Sequence, residues 1–236
     1  MRQILLFLSS ALVVGNTFCA DIQITSLPFN ITAPGTYILT ENLSYFAQYT
    51  PTPTNPGPTG LPYTPAIIIS SAISGPVILD LKGYILSGAG YNTYSIAIGI
   101  GLWSGSQGGP YPITIRNGTI ENFGIGIYAS PADSISPIIP ANVMGLDIDN
   151  VSFTGIQNPQ DYGTAIEFED VNSSSVRNCS FTNVQIAIEE VLSQGGNRYT
   201  NDSFLNVEEC LVIGGNHRNA SIPILEHCDF SAPPTN

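Results

Sequence analysis

Apolar and polar positions along this chain repeat as a four-residue phrase, in which an asparagine is followed by a variable residue, a hydroxyl residue and a large apolar residue. The phrase begins at Asn117, Asn150, Asn178 and Asn201, and a degenerate copy begins at His227. The apolar residues that end it stand at positions 120, 153, 181, 204 and 230. Repeats of this length are typical of solenoids, in which each repeat forms one turn that stacks on the turn before it.

The apolar runs between the phrases predict strands. Val, Ile, Thr, Phe and Tyr dominate these runs, and no stretch after the first twenty residues has the spacing of an amphipathic helix. In each repeat one run precedes the phrase, and a second run places a small residue beside isoleucine, as in residues 96–98 and 186–188. Each turn is therefore expected to contain at least two strands, stacked in parallel on those of the previous turn.

The alternation of strand residues predicts which side chains face the core. The residues expected to point inward are Leu81, Ile115, Ile148 and Val176. The residues that follow them are expected to form one outward column of charges, made of Lys82, Arg116, Asp149 and Arg177. The asparagine of the phrase is expected to point into the coil, and the variable residue beside it is expected to be free of packing.

The asparagine column and the aliphatic columns beside it resemble the right-handed parallel β-helix of the pectate-lyase-like superfamily. The resemblance covers residues 35–230. It implies an all-β fold in a single domain, with stacked asparagine side chains that form hydrogen bonds along a turn. Such a pattern is specific for the fold and says little about activity, because one fold carries many functions.

The first residues read as a targeting segment. Arg2 precedes an apolar stretch at residues 4–14, and small and polar residues follow up to Ala20. This pattern predicts a signal peptide at residues 1–20, a β-helix domain at residues 21–236, and a secreted or cell-surface protein. A lipoprotein anchored through Cys19 is the alternative. No other segment of the sequence is expected to span a membrane.

Charge and cysteine content restrict the partners. The chain has 18 acidic and 6 basic residues, so its formal net charge is −12. Such a surface repels phosphate, so nucleic acid is not an expected partner, and binding of anionic sugars would need a bridging metal. Cys179, Cys210 and Cys228 are expected to be buried thiols and not part of a disulfide framework. Sequons such as Asn30 are acceptors for glycans only if the host glycosylates asparagine.

The sequence is compatible with both a catalytic and a non-catalytic protein. Polygalacturonase-like members of the superfamily use Asp-Asp, Gly-His-Gly and Arg-x-Lys motifs, and this chain has none of them. Asp147 and Asp149, on either side of Ile148, are the catalytic candidates that remain from that comparison. Lyase-like members use calcium-binding aspartates and a basic proton acceptor, and the pattern around those residues is missing here as well.

An acidic cluster offers a second candidate site. Glu167 and Glu169 are expected to point outward from one strand, with Asp170 next to them and Glu189 on the following turn. Three interpretations are open: a site for a hard cation such as Ca²⁺, a catalytic carboxyl pair like that of glycoside hydrolases, and a solvated acidic face. No cofactor other than this cation is suggested.

Aromatic residues in an insertion suggest a sugar-binding platform. Trp103 and Tyr111 lie in a Gly- and Pro-rich segment, where they either stack on saccharide rings or pack the insertion onto the coil. Three functions follow as hypotheses: a protein that binds a poly- or oligosaccharide without catalysis, a divergent polysaccharide lyase or glycoside hydrolase, and a structural module that forms oligomers through an open end of the coil.

Overall fold

The computed structural model describes residues 21–46, 65–70, 73, 75–90, 95–102, 112–131, 145–157, 163–169, 171–191, 196–214 and 224–231. Within these residues the chain forms eighteen β-strands and no helix. A search of the same residues for a long apolar helix that could cross a membrane finds none.

The strands follow one another in chain order. They are β1 (Ile22–Ile24), β2 (Phe29–Ile31), β3 (Gly35–Leu39), β4 (Leu43–Ser44), β5 (Ile67–Ile69), β6 (Val77–Asp80), β7 (Ile85–Ser87), β8 (Ile96–Leu102), β9 (Ile113–Glu121), β10 (Ile125–Pro131), β11 (Leu146–Thr154), β12 (Thr164–Glu169), β13 (Ser175–Arg177), β14 (Ser180–Val191), β15 (Arg198–Thr200), β16 (Ser203–Gly214), β17 (Ile224–Glu226) and β18 (Asp229–Ser231).

These strands stack into three parallel sheets that the chain visits in turn. The first sheet contains β1, β3, β6, the starts of β9 and β11, β13, β15 and β17. The second contains β4, β7, the ends of β9 and β11, the starts of β14 and β16, and β18. The third contains β2, β5, β8, β10, β12 and the ends of β14 and β16. The predicted all-β parallel β-helix in one domain is confirmed.

The corner between the first and second sheets explains the repeated asparagine. In five turns one residue at this corner has φ between 54° and 58°. These corner residues are Asn117, Asn150, Asn178, Asn201 and His227. Asparagine adopts this left-handed conformation at lower cost than most residues with a side chain. The corner between the second and third sheets also contains residues in the left-handed conformation, with positive φ at Asn122, Gly155, Asn183 and Asn206.

The expectation that the asparagine points into the coil was wrong. Asn150, Asn178 and Asn201 are exposed, because the left-handed bend turns their side chains outward. The residue after the asparagine faces the core instead. Val151 and Cys179 are almost fully buried, so the variable position is not free of packing.

The core consists of continuous columns, as the alternation predicted. In the first sheet Leu79, Ile115, Ile148 and Val176 lie side by side and are fully buried. In the second sheet the rings of Phe153, Phe181, Phe204 and Phe230 stack with centroids 5.0 to 5.1 Å apart. Stacked aromatic pairs contribute about 0.5–1.5 kcal/mol beyond their buried area, so this column helps to fix the register of the turns.

Candidate functional site

The acidic cluster lies on the outer surface of the third sheet. Glu167 and Glu189 are direct neighbours in the parallel register of β12 and β14, and Glu169 lies beside Val191. The Tyr128 hydroxyl donates to Glu169 Oε2 at 2.7 Å, and the Thr164 hydroxyl donates to Glu189 Oε2 at 3.4 Å. The predicted proximity of these glutamates is therefore present, and their carboxylates are tied to neighbouring strands.

The cation hypothesis receives no support from the part of the chain that the structure describes. Among those residues, no group of three or more His, Cys, Asp or Glu side chains is placed to hold a metal ion. Asp170, which completed the predicted set, lies outside the described residues, as do Trp103 and Tyr111 of the predicted aromatic platform.

The column of charges on the first sheet alternates in sign, and its first member differs from the prediction. Asp80, not Lys82, lies beside Arg116, and Asp149 and Arg177 follow in register. Lys82 occupies the corner, with φ of 54° and its Nζ 3.6 Å from Asp80 Oδ2. Leu81 is buried as predicted, but it is Leu79 that pairs with Ile115.

Asp80 is held as a carboxylate at the foot of this column. Its side chain is only 2% exposed, and it accepts hydrogen bonds from Arg116 Nε at 2.9 Å, Asn117 Nδ2 at 3.2 Å and the Lys82 N–H at 2.9 Å. Burial acts to raise the pKa of Asp80, but these hydrogen bonds and the charge of Arg116 outweigh it and lower the pKa. Asp80 therefore joins two neighbouring turns through its ionised form.

Asp147 and Asp149, the other catalytic candidates, share one arginine. Arg177 Nη2 lies 2.9 Å from Asp147 Oδ2 and 3.2 Å from Asp149 Oδ2. Asp149 Oδ1 also accepts a hydrogen bond from Asn178 Nδ2 at 2.8 Å. A pair of carboxylates clamped on one guanidinium is suited to holding neighbouring turns together, and it leaves little freedom for proton transfer to a substrate.

The second sheet presents a polar surface rich in Ser and Thr, which we call the hydroxyl face. Its outward residues over these turns are Thr119, Ser152, Ser180 and Ser203 in one column, and Glu121, Thr154, Thr182 and Leu205 in the next. Ser180 Oγ donates to Ser152 Oγ at 2.9 Å. Neighbouring turns are about 4.8 Å apart, and the two columns are separated by two residues, or about 6.6 Å.

Asparagine ladders border the hydroxyl face on both sides. On one side Asn150 Nδ2 donates to Asn117 Oδ1 at 3.1 Å, and Asn201 Nδ2 donates to Asn178 Oδ1 at 3.3 Å. On the other side Asn206 Nδ2 donates to an asparagine of the turn before it at 2.6 Å. The surface therefore offers hydroxyl and amide groups in regular rows. Its carboxylates are those of Glu121, beside Thr154, and Asp229, beside Ser203.

The interior contains polar residues that the sequence analysis did not place there. Glu190 follows Glu189 but points inward, where it is 1% exposed and lies beside Phe168 of the turn before. The Tyr199 hydroxyl donates a hydrogen bond to Glu190 Oε1. Burial, followed by the charges of Glu190 and Asp202, raises the pKa of Tyr199 well above its ordinary value. Counting by two from buried Ile188 would have located Glu190 in the core.

Asp202 is another buried carboxyl and occupies the core column of Val151 and Cys179. It is 1% exposed; its Oδ1 accepts a hydrogen bond from the Cys179 N–H at 2.8 Å, and its Oδ2 has no partner. Burial raises the pKa of Asp202 to about 7, in spite of hydrogen bonds from the Cys179 and Thr200 N–H groups. Among the described residues, Cys179, Cys210 and Cys228 are free thiols, as expected, but only Cys179 is buried, and Cys210 and Cys228 are partly exposed.

Comparison with known proteins gives no match to this chain among family models, curated proteins or solved structures.

Proposed function

We propose that this chain is a secreted or cell-surface β-helix protein of the pectate-lyase-like type, which binds a neutral poly- or oligosaccharide along its coil. The observation that carries the proposal is the hydroxyl face, with its rows of Ser and Thr hydroxyls between two asparagine ladders. The resemblance to the superfamily belongs to the proposal and is supported by the parallel three-sheet coil and the stacked asparagines.

The chemistry of the hydroxyl face matches a chain of sugar hydroxyls. Ser and Thr hydroxyls and asparagine amides both donate and accept hydrogen bonds, as sugar hydroxyls do. Each neutral hydrogen bond contributes only about 0.5–1.5 kcal/mol, so useful affinity requires several turns to contact the same ligand. The net charge of −12 favours a neutral saccharide over an anionic one.

The test is binding to a panel of insoluble and soluble polysaccharides, with neutral glucans, xylans and mannans compared with polygalacturonate. The double variant Ser180→Ala with Thr182→Val removes two outward hydroxyls of one turn and should weaken binding to a neutral member by about tenfold. Ser175→Ala is the matched control, because Ser175 lies on the first sheet of the same turn. Absence of binding across the panel, or equal affinity of the double variant and wild type, would refute the proposal.

A divergent glycoside hydrolase is the second candidate, because Glu167 and Glu189 are register neighbours. Parallel strands place such residues about 4.8 Å apart at Cα, near the roughly 5 Å between the carboxyl groups of retaining glycosidases. Release of reducing sugar that is lost in both Glu167→Gln and Glu189→Gln would support it. Release that persists unchanged in both variants would exclude this pair as the catalytic residues.

A further inference from the structure

One end of the coil exposes apolar side chains, and three of them, Ile213, Leu225 and Phe230, lie in columns that are buried in the preceding turns. Six large hydrophobic residues are exposed in the described chain, and five of them belong to the last two turns: Leu205, Ile213, Ile224, Leu225 and Phe230. Phe230 is 54% exposed although it continues the stack of Phe153, Phe181 and Phe204. One ring face of Phe230 is thus covered and the other is available.

The same end presents strand edges. Within the described residues, β17 and β18 pair with the preceding turn and with no following one. Unpaired N–H and C=O groups along such an edge can accept a further strand. At the opposite end of the coil Ile24 and Ile31 are fully buried and Leu27 packs on the core.

The charge of the last two turns favours a basic partner at this edge over a second copy of the chain. Four carboxylates of the last two turns are exposed, those of Glu208, Glu209, Glu226 and Asp229. A second copy of the chain would bring the same acids against them, and each copy carries a net charge of −12. A partner with basic side chains would instead be attracted to the edge.

The spacing of the inward residues defines the sequence that would fit. From Ile115 onward, the inward residue of the first sheet precedes the aromatic or aliphatic residue of the second sheet by five positions, as in Val176 and Phe181, and in Leu225 and Phe230. The corner residue between them adopts positive φ, like His227. A segment that stacks on this edge therefore needs two apolar residues five positions apart, with Asn or Gly at the corner between them.

We propose that this end of the coil, formed by β17 and β18, binds a strand-forming segment of a basic polypeptide partner. Such a segment extends the first and second sheets by one rung. Its apolar residues cover Leu225 and Phe230, and its Lys or Arg side chains pair with Glu226 and Asp229.

The test uses the purified protein and a defined peptide. The peptide copies residues 174–184 of this chain, with Cys179 replaced by serine and two lysines added at each end. We expect saturable binding that weakens with salt, and a loss of about tenfold or more when the peptide positions of Val176 and Phe181 are changed to serine. In the protein, Phe230→Asp should weaken binding to a similar degree. Phe46→Ser is the matched control and should leave it unchanged, because Phe46 is exposed but lies outside the last turns.

A charge exchange keeps the test decisive if Phe230→Asp loosens the last rung. The protein variant Glu226→Lys with Asp229→Lys retains both apolar anchors. This variant should bind the lysine peptide more weakly than wild type does, and it should bind more tightly a peptide in which the added lysines are replaced by glutamates. Equal binding of both peptides by both proteins would overturn the proposal. A homodimer in sedimentation that dissociates in Phe230→Asp would also overturn it, since a second copy would then occupy the edge.

Discussion

Replacing Asp202 with asparagine tests the most unusual feature of the core. Asp202 is almost fully buried and its Oδ2 has no hydrogen-bond partner. Burial raises its pKa from 3.8 to about 7. Between these two values the folded coil retains a proton that the unfolded chain has released. The contribution of Asp202 to stability is therefore fully present below about pH 4 and is lost as the pH rises through 7.

The magnitude follows from the pKa difference. Each pH unit between 3.8 and about 7 costs the folded state about 1.4 kcal/mol, so ionised Asp202 destabilises the coil by up to about 4 kcal/mol at pH 8. Asparagine keeps an acceptor for the Cys179 N–H but places an NH₂ group where Oδ2 lies. Burying that group without partners costs about 1–3 kcal/mol. Asp202→Asn should thus destabilise the protein at pH 4 and stabilise it at pH 8.

The assay is the free energy of unfolding of wild type and variant between pH 4 and pH 8.5. Circular dichroism in urea gives the global value, and hydrogen exchange in β15 and β16 gives the local value, which matters because turns of a solenoid can open separately. Titration of other groups acts on both proteins and largely cancels in the difference. The difference between variant and wild type should change by about 4 kcal/mol across this range.

The control is Glu226→Gln, which removes an exposed carboxylate from the last turn. Its effect on stability should change by less than about 1 kcal/mol across the same range, because an exposed charge is well solvated. If Asp202→Asn differs from wild type by the same amount at pH 4 and pH 8, Asp202 is ionised in the folded protein and the reasoning is refuted.

Three further predictions concern the stacked columns. Phe181→Ala should cost about 3–5 kcal/mol in urea unfolding and Phe230→Ala much less, because Phe181 is covered on both faces; equal losses would contradict the stacking argument. Asn178→Ala should cost about 1–2 kcal/mol and Asn178→Gly less, since φ at 178 is 55° and glycine tolerates it; a larger loss for glycine would show that the amide ladder outweighs the dihedral. The lowered pKa of Asp80 means that its stabilisation is present above its ordinary value of 3.8 and is lost as the pH falls below it, so Asp80→Asn should flatten the acid limb of a stability–pH curve; an unchanged limb would refute this.

The fold could be predicted from the sequence because each turn of a stacked coil needs apolar residues at the same inward positions, which makes the sequence repeat. Ile115, Ile148 and Val176 occupy one buried column, and the phrase that follows each of them marks the same corner. The predicted register was wrong at the turn that lacks the repeated phrase. At the third turn the corner contains two residues with positive φ, Lys82 and Gly83, so a fixed offset from the corner aligned Leu81 with Ile115 instead of Leu79.

The direction of the asparagine side chains could not be predicted from residue type. A polar residue beside a buried strand can satisfy backbone groups inside the coil or outside it, and a single dihedral decides between them. At Asn178 that dihedral is 55°, and this sends the amide outward and Cys179 inward. The hydroxyl face depends on the same choice, because reversing it would place Ser180 in the core and Phe181 in solvent.

The departures from the column rule concentrate toward one end of the coil. Glu190 occupies the column of Phe168, and Asp202 occupies the column of Val151 and Cys179. Phe230 continues the aromatic column but is 54% exposed. In a solenoid each turn is stabilised mainly by its neighbours, so polar core residues weaken the coupling of the last turns to the rest. A rung stacked on β17 and β18 would give the last described turn a second neighbour. The buried acids and the exposed edge are therefore energetically linked, since whatever covers Phe230 also stabilises the turns that contain Asp202.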